Sequence, residues 1–357
     1  MIKLFSPVLS NSEIKSVIKT LKSGFWASGA GTGNVLKFEN EFKKYTKSSE
    51  CVAVDSGTAA LHLALNVIDV NKKEVLVPSF TFISTINAIK YNGGIPVFVD
   101  IKSDTLCIDT KDLENKITKK TKVILPVHFG GYPCEMDSIK KIGEKNSLFV
   151  VEDAAHACGA SYNKKKIGTL SDFTCFSFHP VKNLAMLKGG AITLNSKNKT
   201  LKNKLNSLRW CGISDRKGPF YNITELGYNY YMDEISAAIG IEQLKKIDKF
   251  NQKRFEIAKR YHKEIRCLEK MPINKECSYH LYWILVKNRN KFLKNMNKKG
   301  IETGIHYSPI HKMKLYNSKI KLVMTEKISK QIVTIPIHPM LTNRDVSFII
   351  KSVNELL

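Results

Sequence analysis

The part of the sequence that decides the fold reads CVAVDSGTAAL, at residues 51–61. Its first four residues form a short apolar run that is typical of a buried strand. Ala59 opens a helical pattern that continues to Ile68. The small residues Ser56, Gly57 and Thr58 lie between the two patterns, where a tight turn is expected. The stretch therefore predicts a strand, a turn and a helix in direct succession.

Strand-like runs of this kind recur through the first two thirds of the chain. They are rich in Val, Ile and Phe, and helical stretches lie between several of them. This alternation predicts an α/β fold whose mainly parallel sheet is covered by helices on both faces. The predicted strands are Cys51–Val54, Glu74–Pro78, Ile95–Asp100, Val123–Val127, Leu148–Glu152, Thr174–Phe178 and Gly190–Leu194, and the helices are Ala59–Ile68, Ser84–Tyr91 and Met136–Lys145.

The pattern changes after about residue 233. A long helix is predicted over Asp233–Arg266, and a strand-like segment follows at Tyr282–Val286. This change indicates a large domain over residues 1–245 and a smaller C-terminal α+β domain over residues 246–357.

Composition excludes several classes of protein. The chain has 357 residues, of which 43% are apolar and 25% charged, so disordered, collagen-like and coiled-coil proteins are set aside. The net charge of +25 raises the hypothesis of nucleic-acid binding. The densest basic stretch, residues 241–300, spreads its lysines at helical spacing among apolar residues, as on a solvated helix face. A lysine-rich surface is therefore expected, and a surface suited to acidic or phosphorylated ligands is the alternative.

The cysteines and the N-terminus bear on the compartment. Eight cysteines include no CxxC pair and no Cys/His group with zinc-ligand spacing, so free thiols and no metal are expected. The N-terminus lacks the apolar segment of a signal peptide, and no apolar run approaches the roughly 20 residues that span a bilayer. A cytoplasmic protein is expected.

Ligands of parallel sheets bind at the carboxyl ends of the strands, so the residues that follow each predicted strand are the candidates. These are Ser56 to Thr58, Ser79 to Phe82, His128, Asp153 to His156, and Ser177 to Lys182.

Three of these groups suggest a single chemistry. The turn at residues 56–58 could offer backbone N–H groups to a phosphate, although Ser and Thr also serve as ordinary helix caps. Asp153 could hold a protonated heterocyclic nitrogen, although acids at strand ends are often structural. Lys182 follows a buried strand, where loss of water favours the neutral, nucleophilic amine. A lysine, a phosphate turn and an acid are the partners of pyridoxal 5'-phosphate (PLP).

The sequence resembles the PLP-dependent sugar aminotransferases of the DegT type, which have the fold type I PLP-transferase architecture. The resemblance covers nearly the whole chain. The motifs that carry it are Asp55–Leu61, Pro78–Phe82, Pro96–Asp100, Glu152–His156, Ser177–Asn183, Gly227–Tyr230, Ala237–Ala238, Gln243–Leu244 and His306–His311.

The resemblance implies roles for individual residues. Lys182 is expected to form the imine with the cofactor, and Asp153 to hold the pyridine nitrogen. The other implied cofactor contacts are Gly57, Thr58 and Ser177 at the phosphate, Phe82 on the ring, His156 near the phenolic oxygen, and Asn229 at the phosphate of the neighbouring subunit; His306 and Tyr307 are implied substrate contacts. The contact of Asn229 implies a homodimer with shared active sites.

The implied reaction moves an amino group from an amino acid, expected to be glutamate, to the keto group of a nucleotide-linked deoxy sugar for glycan biosynthesis. The pattern Tyr230-Tyr231-Met232 favours amination at C4, with C3 as the alternative. Related dehydratases carry His where this chain has Lys182. A non-catalytic PLP-containing regulator and a basic nucleic-acid-binding protein remain as alternatives from other classes.

Two positions depart from the family pattern. Lys188 stands where the family usually has an acid, before Gly189-Gly190. Tyr231 stands where the family usually has an arginine. Both changes affect expected substrate contacts or loop geometry, and neither removes a group that transamination needs.

Overall fold

A seven-stranded sheet forms the centre of the protein, in a computed structural model that describes residues 1–195 and 199–357. The strands of the chain are β1 Glu50–Val54, β2 Glu74–Pro78, β3 Ile95–Val99, β4 Thr121–Ile124, β5 Phe149–Asp153, β6 Ser161–Tyr162, β7 Lys165–Lys166, β8 Phe173–Ser177, β9 Gly190–Leu194, β10 Ile213–Lys217, β11 Phe220–Ile223, β12 Tyr282–Leu285 and β13 Ile332–Ile335.

The helices cover both faces of this sheet and build much of the C-terminal part. They are α1 Asn11–Lys22, α2 Gly33–Thr46, α3 Gly57–Ile68, α4 Ile83–Tyr91, α5 Thr110–Asn115, α6 Met136–Lys145, α7 Lys199–Arg209, α8 Glu234–Leu244, α9 Ile247–Glu264, α10 Arg289–Lys298, α11 Val323–Ser329 and α12 Asn343–Leu356.

The central sheet is mainly parallel, as predicted. Its strand order is β1-β9-β8-β5-β4-β2-β3, and β9 pairs antiparallel with both of its neighbours while the remaining pairs are parallel. All seven predicted sheet strands are present; β2 and β9 have the predicted ends, and the ends of the other strands are displaced by a few residues. The largest displacement is at β4, which ends at Ile124 shortly before Pro126, a residue without an N–H for the ladder.

Side chains of one strand alternate between two buried layers. In β1, Cys51 and Ala53 contribute to one hydrophobic cluster, and Val52 and Val54 contribute to the other. This alternation follows from the two-residue repeat of a strand. Both faces of the sheet are therefore buried, which explains why the strands appear in the sequence as continuous apolar runs.

The prediction of a single long helix over Asp233–Arg266 is wrong. Two helices occupy this range, and α8 ends at Leu244 while α9 begins at Ile247. The apolar spacing continues across the interruption at Lys245 and Lys246, and neither residue is a Gly or Pro that would mark a break. At the interruption, the Lys246 ammonium forms an ion pair with the buried Glu13 of α1.

The C-terminal part combines the antiparallel pair β12–β13 with α10, α11 and α12. The side chains of Tyr282 and Trp283 on β12 are buried in the hydrophobic cluster there. This α+β composition agrees with the sequence pattern, and the domain boundary after residue 245 stays a prediction. Among residues 1–195 and 199–357, no helix is both long and apolar enough to cross a membrane.

Candidate active site

A cavity of about 340 Å³ lies at the carboxyl ends of β1, β2, β5 and β8. Most of the residues that line it come from the segments that follow these strands, together with residues of the C-terminal part. The lining includes nine of the predicted site residues: Gly57, Thr58, Phe82, Asp153, His156, Ser177, Lys182, His306 and Tyr307. The fold thus brings together in space residues that are spread between positions 57 and 307 of the sequence.

The N-terminus of α3 opens toward this cavity. Ser56 caps the helix by accepting a hydrogen bond from the Ala59 N–H at 3.2 Å. The N–H groups of Gly57 and Thr58 make no hydrogen bond within residues 1–195 and 199–357, as expected for the first turn of a helix. These free donors and the positive end of the helix dipole form an anion site.

Gly57 is required for the close packing of this turn against β8. A Cβ atom at position 57 would lie 2.7 Å from the Cβ of Ser177, closer than real Cβ atoms come. The absent side chain therefore brings the helix N-terminus and the Ser177 side chain to the same end of the cavity.

The two acids at the end of β5 face opposite sides of the sheet. Asp153 lines the cavity, where its carboxylate accepts hydrogen bonds from Thr85 Oγ1 at 2.8 Å and from the Ala155 N–H at 3.1 Å. Glu152 is buried away from the cavity and lies 2.7 Å from Nε2 of His128. The period of the strand separates these roles. His128, a candidate from its position after a strand, belongs to the structural pair.

Burial controls the charge of Asp153. Loss of water raises the pKa of this carboxyl above its usual range, while the Thr85 hydroxyl and the Ala155 N–H act in the opposite direction. A buried carboxylate is stabilised by a cation at hydrogen-bond distance. Asp153 is therefore placed to receive a protonated nitrogen.

The Lys182 amine lies in the same cavity without a protein partner. Its Nζ makes no hydrogen bond and no ion pair within the described ranges 1–195 and 199–357, although its backbone N–H bonds to the His179 carbonyl at 2.8 Å. Burial lowers the pKa of Lys182 to about 8, and the negative charge of Asp153 acts in the opposite direction. A larger fraction of this amine is neutral at physiological pH than for a lysine in water.

Four histidines line the cavity, and burial lowers the pKa of each: His156, His179, His280 and His306. Burial lowers the pKa of His156 and His280 well below the ordinary value and that of His306 to about 4, and the charge of Lys182 contributes in each case. The His156 and His280 rings are stacked at an angle, with centroids 4.5 Å apart. The positive charge of the cavity thus comes from lysine and not from histidine.

Sequence reasoning missed two residues of the site. Thr85 lies in the first turn of α4, the helix that follows β2, and extending the candidates after that strand beyond Phe82 would have included it. His280 lines the cavity from the C-terminal part, and no local pattern of the sequence marks it.

Asn229 is the one predicted site residue outside the cavity. Its side chain is exposed, and its backbone forms an isolated antiparallel bridge with Trp210. The single chain therefore gives Asn229 no contact with the site, and its role toward a neighbouring subunit stays a prediction.

The two departures from the family pattern lie in different places. Lys188 lines the cavity at its rim, where its ammonium lies 2.7 Å from the Asp55 carboxylate. Tyr231 is not among the described residues that line the cavity. Across the described residues, no group of three or more His, Cys, Asp or Glu side chains is arranged to hold a metal ion.

Residues 7–354 match the DegT/DnrJ/EryC1/StrS aminotransferase family. The chain belongs to this family. It is a PLP-dependent aminotransferase, in agreement with the resemblance noted from the sequence and with the predicted α/β architecture.

One relative and two solved structures match along nearly their whole length. GDP-perosamine synthase of Escherichia coli O157:H7 is 35% identical, with 99% of this chain and 98% of the relative covered. Spr1654 of Streptococcus pneumoniae, assigned as a sugar aminotransferase and solved in its PLP form, has a TM-score of 0.93 at 29% identity, covering 99% and 98% of the two chains. PseC of Helicobacter pylori, an aminotransferase involved in the biosynthesis of pseudoaminic acid, has a TM-score of 0.93 at 28% identity with the same coverage.

The cavity fits PLP on physical grounds. It combines an anion site at the start of α3, a buried carboxylate at Asp153 and an unpartnered lysine amine at Lys182. These three features match the phosphate, the ring nitrogen and the aldehyde of the cofactor in charge and in chemistry.

Proposed function

We propose that this enzyme transfers an amino group from an amino acid, with glutamate as the expected donor, to the keto group of a nucleotide-linked deoxy sugar. The observation that carries the proposal is the unpartnered Lys182 amine in one cavity with the buried Asp153 carboxylate. Family membership supports the reaction class. The name of GDP-perosamine synthase supports a nucleotide-linked sugar, and PseC, an aminotransferase involved in the biosynthesis of pseudoaminic acid, supports a biosynthetic role.

Lys182 is proposed as the residue that binds the cofactor covalently and then moves the proton. When bound, PLP supplies an aldehyde for an amine and a ring that accepts electrons. A lysine with a lowered pKa can give its lone pair to such a carbon, and once displaced by the donor amine it can take and return a proton.

Asp153 is proposed as the residue that keeps the ring nitrogen protonated. Its two hydrogen bonds from Thr85 and Ala155 fix the carboxylate, so its negative charge is in place before the reaction begins. A fixed charge in a site that excludes water needs no reorganisation during the reaction. Gly57, Thr58 and Ser177 are proposed to hold the phosphate, and Phe82 to contact the ring.

The proposed substrate is defined more narrowly than the relatives define it. Amination at C4 is proposed from the Tyr230-Tyr231-Met232 pattern, for a sugar of a surface polysaccharide or related glycan. His306 and Tyr307 contribute polar groups to the same cavity. A homodimer is proposed because the exposed Asn229 has no contact with the site of its own chain.

Two experiments test this function. Borohydride reduction of the PLP-loaded protein, followed by peptide mass spectrometry, should place the cofactor on Lys182. An adduct on another lysine, or none in saturated protein, would contradict the assignment. A panel of keto-deoxy nucleotide sugars with glutamate as donor, with products analysed by mass and NMR, should give a 4-amino sugar. A 3-amino product would correct the position, and no product from any sugar would refute the substrate class.

A further inference from the structure

His280 lines the candidate active-site cavity from the C-terminal part and is held by one buried amide. The Nδ1 atom of His280 lies 3.3 Å from the Oδ1 atom of Asn183, the residue next to Lys182. The amide nitrogen of Asn183 donates to the Ser278 carbonyl at 2.7 Å and to Asn251 Oδ1 at 2.9 Å. Since a carbonyl oxygen can only accept, these two bonds fix the orientation of the amide, and its oxygen faces His280.

This contact determines where the ring of His280 carries its proton. Burial lowers the pKa of His280 well below its ordinary value, so the ring is neutral and has a single N–H. The Oδ1 atom of Asn183 has no proton to give, so Nδ1 of His280 is the donor between them. The Nε2 atom therefore carries a lone pair and can only accept a hydrogen bond.

The Nε2 atom of His280 is left open to the cavity. No hydrogen bond to it is found within residues 1–195 and 199–357, and it is not enclosed by the protein. The charge of Lys182 contributes to the lowered pKa of His280, so the amine and the ring lie near each other. The cavity thus holds an unused acceptor close to the lysine at which the reaction is proposed to occur.

A lone pair at this place distinguishes the two substrates of the proposed reaction. Glutamate has carboxylates, which only accept hydrogen bonds, and it has no hydroxyl. A sugar has hydroxyls, and each of them can donate. The ring of Phe5 also lines the cavity and stacks on the ring of His280, with centroids 5.4 Å apart and planes 20° from parallel. An apolar ring beside a polar acceptor suits a sugar, which presents C–H and O–H groups side by side.

We propose that Nε2 of His280 accepts a hydrogen bond from a hydroxyl of the acceptor sugar, on a carbon beside the keto group. This inference rests on the proposed function and deepens it. The hydroxyl is placed beside the keto group because Lys182, which acts at the reacting carbon, lies near His280. His280 then determines specificity for the sugar and has no contact with the amino-acid donor.

The test compares the two half-reactions of the PLP-loaded enzyme. His280→Asn keeps an N–H for Asn183 and removes the acceptor at the Nε2 position. Its kcat/KM for the keto sugar is expected to fall about tenfold, since a buried hydroxyl loses its acceptor. Its glutamate half-reaction should stay within about twofold of wild type, because glutamate has no hydroxyl. His338→Asn is the matched control and should change neither half-reaction, because His338 is buried outside the cavity and bonds to the Lys3 carbonyl.

A keto-sugar analogue without the hydroxyl beside the keto group gives a second measurement that needs no variant. Wild-type enzyme should lose about tenfold in kcat/KM with this analogue, and His280→Asn should lose nothing further. An unchanged kcat/KM in wild type would overturn the proposal. A further loss in His280→Asn would also overturn it, because another residue would then bind the hydroxyl.

The donor half-reaction separates the remaining outcomes. An equal loss in both half-reactions of His280→Asn would show that His280 only supports Lys182 through Asn183, and the proposal would be wrong. Borohydride label on Lys182 and turnover of a keto sugar, without the expected effects at His280, refute only the role of His280. No product from any keto sugar with wild-type enzyme refutes the proposed function itself.

Discussion

A chain of two hydroxyls leads to the carboxylate of Asp153. Thr85 Oγ1 donates to Asp153 Oδ2 at 2.8 Å, and Thr81 Oγ1 lies 2.9 Å from Thr85 Oγ1. Because the Thr85 proton is directed to the carboxylate, Thr85 accepts from Thr81. We predict that Thr85→Val, which keeps the shape and removes the hydroxyl, raises the pKa of Asp153.

The magnitude follows from the number of hydrogen bonds. Asp153 accepts two of them from the described residues, and Thr85 supplies the one side-chain donor. A hydrogen bond to a charged group contributes about 1.5–3 kcal/mol. At 1.36 kcal/mol per unit, its loss raises the pKa of Asp153 by about one to two units. The direction agrees with burial, which already raises this pKa.

The assay is the pH dependence of the glutamate half-reaction, followed by the absorbance of the bound cofactor. The reaction needs ionised Asp153, so its rate falls as the pH drops through the pKa of this carboxyl. In Thr85→Val this acid limb is expected to move to higher pH by about one to two units, while the rate at high pH changes little. Cofactor affinity should show the same displacement, because the carboxylate binds the ring nitrogen only when ionised.

Thr81→Val is the matched control for this prediction. It removes the outer hydroxyl and leaves the direct bond from Thr85 to Asp153, so its acid limb should move by less than about half a unit. Asp153→Asn sets the limit, since its amide carries no charge at any pH, and most of its turnover should be lost while the protein stays folded. If the acid limb of the rate profile in Thr85→Val stays at the wild-type pH, or if Thr81→Val moves it equally, the chain of two hydroxyls does not set the charge of Asp153.

Three further predictions concern stability, the phosphate turn and assembly. The pKa of His306 falls from 6.5 to about 4 on folding, so the unfolded chain takes up the proton first as the pH drops. The free energy of unfolding should therefore fall by about 3 kcal/mol between pH 6.5 and 4. Acid unfolding of the apoprotein measures this change, and His306→Asn should make the free energy of unfolding less dependent on pH. Gly57→Ala should weaken PLP binding and lower Tm through its contact with Ser177, and the added Ser177→Gly should restore Tm but not full PLP affinity; no loss in either quantity would contradict the close packing. A Lys182→Ala chain mixed with an Asn229→Ala chain should regain activity through heterodimers that hold one intact site, provided that Asn229→Ala alone is impaired and subunits exchange; mixtures no more active than the separate variants would contradict a shared site.

The central sheet could be predicted because each of its strands carries its own signal. For β2 and β9, the apolar run and the turn residue that closes it predict both ends of the strand correctly. The interruption at Lys245 and Lys246 could not be predicted, because apolar spacing continues through it and neither residue has a special backbone preference. Local patterns thus indicate where strands lie, and they do not indicate where this helical stretch is interrupted.

Some residues of the candidate site could likewise be predicted from the sequence, and others could not. Asp153 and Lys182 follow buried strands, and ligands of parallel sheets bind at the carboxyl ends of the strands, so the sequence predicts both residues as site residues. The rule also selected His128, which pairs with Glu152 behind the sheet. It could not select His280, because that side chain reaches the cavity from a part of the chain that is distant in sequence and carries no motif.

The departure at Lys188 has a physical explanation in the residue it contacts. Asp55 directly precedes the cap of α3, and a carboxylate at that place would repel a phosphate bound at the helix N-terminus. The Lys188 ammonium, 2.7 Å from this carboxylate, neutralises it. An acid at position 188 would instead place two negative charges beside the proposed phosphate site. The lysine at position 188 therefore gives the Asp55 carboxylate a counter-charge, and the anion site keeps its positive character at the start of α3.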